Sequence, residues 1–127
     1  MMEQSRAPRS EDQPDGCVRV FFSAPIVGIG GEARPYVTIR PPSVREIWEV
    51  GDPRSLIFGE AGLATPYTDR EKLQQWIGRL MVDHDADVIG RERDPALGML
   101  IEEVVLGFFT SARKRLMPAS APSSQAA

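Results

Sequence analysis

Residues 83–87 read Asp-His-Asp-Ala-Asp, and a run of carboxylates around the single histidine would serve metal-ligand chemistry if its spacing were right. Laid on a calcium loop, Asp83, Asp85 and Asp87 take the first, third and fifth positions. The turn glycine is replaced by Val88, Arg91 falls at the ninth position, and Asp94 stands where a bidentate glutamate should close the loop. The pattern fails, and with no second cluster at ligand spacing the sequence predicts no metal site. It predicts instead that a helix ends near Val82, that His84 continues its apolar face or caps it, and that the aspartates form a solvated connector.

The other chemistry-bearing residues are sparse. Gly28-Ile29-Gly30-Gly31 lacks the third glycine and the following helix of a dinucleotide fingerprint, so a hairpin turn is expected and no cofactor. With one histidine, one cysteine and no Gly-x-Ser-x-Gly elbow, a nucleophile would need His84 paired with a distant residue. The expectation is a chain that is not an enzyme. Trp48, Trp76, Phe108 and Phe109 sit at helical spacing, which favours core packing over a ligand cage.

These residues must be carried by a small mixed fold. Val18, Val20 and Phe22 alternate with Arg19, a strand pattern, and Pro25 to Val27 reads as a second short extended piece. The glycines at 28, 30 and 31 then turn the chain into a strand over 36–40, which Pro41 and Pro42 stop because neither can donate a ladder hydrogen bond. Ser43 and Glu46 have capping-box spacing, Val44, Ile47 and Trp48 follow at helical spacing, and Gly51 can end the helix. Asp52-Pro53 opens a turn that would carry Leu56, Ile57 and Phe58 toward the core, and 59–67 reads as a loop. A second box, Thr68 with Glu71, starts a helix bearing Leu73, Trp76, Ile77, Leu80 and Met81. Asp94-Pro95 starts the last and longest, with Leu97, Leu100, Ile101, Val104, Val105, Phe108, Ala112 and Leu116 as its stripe. Gly98 and Gly107 each cost about 1 kcal/mol against alanine there, so close packing at both is expected. The fold class is therefore α+β, a small N-terminal antiparallel sheet or hairpin followed by three or four packed helices.

At 127 residues one domain is expected, over 17–116. Residues 1–16 and 117–127 hold too little apolar surface to offset the entropy of ordering and are expected to be disordered tails. A net charge of −3, with both signs interspersed, argues against a nucleic-acid partner. Arg113, Lys114 and Arg115 form the one basic cluster, at a helix end where cations favour the dipole. A lone Cys17 excludes an internal disulfide and fits a reducing compartment. With no signal peptide and no run of about 20 apolar residues, a cytoplasmic protein without a membrane partner is expected.

A partner surface is suggested by apolar residues outside the stripe. Met99 and Leu106 lie on one line about 160° from the stripe centre and should face outward. With Phe109 they are the partner-binding candidates. The order of elements resembles the Mu-like phage tail assembly chaperones. The matching parts are Val18-Arg19-Val20-Phe21, a Pro-Ile-Val followed by glycines, a strand ending Thr-Ile-Arg-x-Pro, then Val44-x-x-Ile47-Trp48-Glu49-x-Gly51-Asp52, a middle helix, and a final helix carrying Phe108-Phe109. The resemblance covers about four-fifths of the chain, and the charged 83–93 connector departs from it. It implies a protein that binds the tape measure protein, or another tail protein, and keeps it soluble in the host cytoplasm during tail assembly, with possible self-association. The alternative is a small bacterial adaptor or regulatory module that binds a folded partner.

Overall fold

The computed structural model describes residues 7–59 and 62–117, and it is an α+β fold. Strands β1 (Arg9–Asp12), β2 (Val18–Val27) and β3 (Ala33–Ile39) form an antiparallel sheet in that order. Val20, Val37 and Ile39 are buried on one face of it. Pro25 does not open a separate strand. It sits within β2 where the register with β3 shifts between Phe21 and Ile26, an irregularity that accommodates a residue with no N–H to donate. Gly28 N donates to Glu32 O at 2.9 Å to close the turn, and Gly30 and Gly31 take φ of 105° and 89°, values only glycine adopts freely.

The ordering of β1 corrects the expectation of a disordered segment reaching residue 16. Arg9–Asp12 pairs with Phe21 to Val18 of β2, and the Arg9 guanidinium lies 4.2 Å over the Phe21 ring. Main-chain pairing and a cation–π contact need no apolar pattern in the strand itself, which is why composition misses it. Residues 1–6 and 118–127 lie outside the described residues.

Helix α1 (Val44–Val50) has both halves of its capping box and stops at Gly51, whose φ is 86°. A hairpin then replaces the expected loop: β4 (Arg54–Phe58) pairs with β5 (Ala64–Thr68), and Gly59 N donates to Leu63 O at 2.9 Å across its turn. The inward placement expected of Leu56, Ile57 and Phe58 falls on side chains outside the described set. Helix α2 (Arg70–Leu80) is capped by Asp69, which accepts from Lys72 N, rather than by Thr68; Thr68 is held in β5 opposite Arg54. After the short α3 (Ala86–Ile89), α4 (Pro95–Leu116) begins with Pro95 in its first turn, as its sequence predicts.

The core lies between the sheet, α2 and α4, with Leu73, Trp76 and Leu80 facing Ile101, Val105 and Phe109. The Trp76 Nε1–H donates to Gly51 O at 2.8 Å, fixing the end of α1 against α2. Helix α4 has 22 residues and contains an 18-residue window of mean hydropathy 1.4, but Glu102 and Glu103 interrupt it, so no unbroken apolar run of about 20 residues occurs there. In this fold one of its faces is part of the core.

Candidate protein-docking groove along the last helix

The walls of the candidate site are set by two polar nodes. The first orients α1. Arg40, just past β3, donates from Nη1 and Nη2 to the two carboxylate oxygens of Glu46, each at 2.8 Å, and from Nη2 to Arg79 O at 3.0 Å. The Ser43 N–H donates to Glu46 Oε1 at 3.1 Å, completing the box. Arg40 first, then the Ser43 hydrogen bonds, outweigh desolvation and hold the Glu46 carboxyl down at about 2, from an ordinary 4.5.

A depressed carboxyl stabilises the fold fully above its unfolded value, and that contribution is lost as pH falls from about 4.5 through about 2. Glu46→Gln should therefore cost about 2 kcal/mol at neutral pH, the scale of hydrogen bonds to a charged group, and little near pH 2. Urea midpoints measured across that range check it, and an equal loss at both ends would show that the charge is irrelevant.

This clamp decides the phase of α1. Glu46 and Val50, four apart, face inward. Trp48 is therefore 77% exposed and Val44 is exposed too, which corrects the core placement expected of Trp48.

The second node is the Asp83 and His84 pair, and it is no solvated connector. Asp83 Oδ1 accepts from Thr38 N at 2.8 Å and Oδ2 from Thr38 Oγ1 at 3.1 Å, tying the α2–α3 connection to β3. His84 is 2% exposed, and its Nε2 is 3.0 Å from Ile26 O, so that nitrogen carries the proton and donates. The Phe22 ring meets the imidazole edge-on at 5.2 Å. Asp85 is the N-cap of α3, accepting from Asp87 N. Three neighbouring polar residues thus carry three separate structural duties. Among the described residues no group of three or more His, Cys, Asp or Glu side chains converges as metal ligands would.

The partner-binding candidates separate. Met99 is 63% exposed, as its position on the helix predicts, whereas Leu106 is half-buried against the core. Phe109 is 5% exposed, with its ring 5.0 Å from that of Trp76 in an edge-to-face contact, so it is chiefly a core residue, and it also lines a depression beside Pro41, Val44 and Ile47. The inward line of α4 is Leu97, Ile101, Val105 and Phe109, an unbroken i, i+4 series visible in the sequence. Phe108 is half-buried beside it.

That offset leaves one flank of α4 open. Leu100, Val104, Gly107 and Phe108 line a depression of about 400 Å3 whose other wall is β1 and the β1–β2 turn. Phe108 and Ala112 line a second, of about 530 Å3, against Pro41, Val44 and Ile47. The two share Gly16, Phe108 and Ser111 and so meet as one apolar groove. Gly107 lies in the groove, and a Cβ built there would meet no atom within 4 Å. The same is true of Gly98, so neither glycine has the close intramolecular packing expected of it.

Such a surface has the character of a docking site. Its lining is mainly apolar, and it suits van der Waals contact with another chain. Sequence reasoning missed Leu100, Val104 and Phe108 as surface residues because it assigned all three to the core stripe. Comparisons with protein-family models, curated proteins and solved structures find no match to this chain.

Proposed function

We propose that this protein is a non-catalytic chaperone that holds an apolar helical segment of another protein in the groove along α4. The client suggested by the family resemblance is the phage tape measure protein. Gly107 is the observation that carries the reading: a glycine inside a helix costs about 1 kcal/mol, no contact within the described chain requires it, and it opens an apolar groove to close approach by a partner backbone. The exposed Trp48, on the same helix as the groove residues Val44 and Ile47, adds apolar area beyond the groove, as a partner surface would require.

Gly107→Leu separates binding from stability by sign. It fills the groove and improves helix propensity, so the variant should be about 0.5 to 1 kcal/mol more stable while failing to co-purify with a co-expressed tape measure protein. Met99→Glu, at an exposed position of α4 that does not line the groove, should leave co-purification intact. A stabilised Gly107→Leu variant that still retains the client would place docking elsewhere.

A further inference from the structure

The two edges of the three-stranded sheet are finished differently. Along β3, Thr38 N donates to the Asp83 carboxylate, Thr38 O accepts from Val82 N at 3.0 Å, and Arg40 N donates to Leu80 O at 2.9 Å. The end of α2 and the chain after it close that edge. The same bonds set the phase of the whole ladder, because hydrogen-bonded and non-hydrogen-bonded pairs alternate along antiparallel strands. Thr38 faces away from β2, so Arg19 opposite it turns its main-chain groups toward β1, where they meet Glu11. Gln13 N donates to Cys17 O at 2.9 Å in the same phase. Ser10 and Asp12 therefore direct their N–H and C=O groups away from β2, and no described residue bonds them.

An open edge is a template for a further strand, and charges commonly guard such edges by repelling one another. On β1 the charges differ in sign. Arg9 and Glu11 project from the outer face of the sheet, while Ser10 and Asp12 line the depression beside α4. The strand that meets both charges in antiparallel pairing reads acid, any residue, base, and that is Arg9-Ser10-Glu11 in reverse: the edge is its own complement. Its two-fold registers are not equal. Centring on Asp12 or on Glu11 sets a carboxylate against itself, and centring on Arg9 sets like cations together and asks Pro8 for a donor it lacks. Centring on Ser10 sets Arg9 against Glu11 of the second copy twice over, in non-hydrogen-bonded pairs where side chains come closest, and lets Ser10 exchange both its bonds with its own equivalent.

We infer that the protein forms a two-fold dimer in which β1 pairs antiparallel with β1 of a second copy, centred on Ser10, joining two three-stranded sheets into one. The ion pair between Arg9 and Glu11 of one chain is exchanged for two between the copies. The interface is small, so association is weak and concentration-dependent. It uses the main chain of β1 and not α4, and stands apart from the docking reading above.

Sedimentation velocity of the full-length protein at about 100 µM should show a monomer–dimer equilibrium. Arg9→Glu and Glu11→Arg each set like charges against one another across the axis, and each alone should raise the dissociation constant about tenfold. Mixed in equal amounts, the two single variants should associate, because one brings two acids and the other two bases. The double variant, with its charges exchanged, should dimerise like the unmodified chain. Ser10→Pro removes an outward-facing donor without touching the bonds between β1 and β2, and should abolish the dimer. Circular dichroism checks that each variant folds. Glu11→Arg and Ser10→Pro leave the Arg9 contact with the Phe21 ring in place, so they decide the matter even if Arg9→Glu loosens β1.

An unmodified chain that stays monomeric at that concentration would overturn the inference. So would a dimer that survives Ser10→Pro, since it would use another surface. Failure of the mixed single variants to associate would do the same, because their charges would then not face each other.

Discussion

Phe109→Ala should lower the unfolding free energy by about 3 to 5 kcal/mol, the usual cost of removing a buried phenylalanine ring. The ring fills the space between α4 and Trp76, contacting the indole edge-to-face at 5.0 Å, so its loss removes both transfer free energy and an aromatic pair. Phe108→Ala removes the same atoms one position away. Phe108 is half-buried and faces the groove, so the cost should be nearer 1 kcal/mol, with the larger effect falling on client retention. Denaturant midpoints of the two variants decide the matter. Equal losses, or a larger loss at Phe108, would mean that α4 is rotated from the phase described above.

His84→Ala should cost about 2 to 4 kcal/mol. The substitution leaves a cavity where a fully enclosed ring stood and strips the buried Ile26 carbonyl of its 3.0 Å donor. His84→Gln, which retains an N–H donor of similar reach, should recover part of that loss. Equilibrium unfolding in urea at pH 7.5 measures both. If His84→Ala costs less than about 0.5 kcal/mol, the histidine is not the link between β2 and the α2–α3 connection that its geometry describes.

Much of the fold could be read from short-range chemistry. The Ser43 and Glu46 box, the Gly51 stop and the Pro95 start depend on residues within a turn of each other, and all three occur as their spacing predicts. The alternation of Val18 and Val20 with Arg19 likewise fixes which face of β2 is buried. The β4–β5 hairpin was less visible, although Gly59 and Gly62 bracket its turn between two strand-like runs, because each strand is short and Pro66 argues against β structure. Strand β1 had no apolar signal at all, since its pairing is made by the main chain.

The candidate site was the least legible part. Helical spacing admits both Phe108 and Phe109 to the core, and the stripe takes Phe108 and omits Phe109, because two adjacent aromatics differ by only about 100° around a helix and a wide apolar stripe admits either. What chooses Phe109 is Trp76, a partner on another helix. In the same way, the capping box announced α1 but not its rotation. Arg40, reaching from the end of β3, turns Glu46 inward and Trp48 outward.

The sequence by itself determined the fold class, the order of most elements and several of the helix ends, since capping, proline and glycine geometry act over a few residues of chain. It also carried the two α4 glycines, whose cost is intrinsic to helical backbone. Only the tertiary structure decided whether those glycines are packed or open, which side of α1 and α4 faces inward, and that Asp83 and His84 bind β3 and β2 instead of water. Each of these depends on residues distant in sequence meeting in space, and no local pattern encodes that meeting.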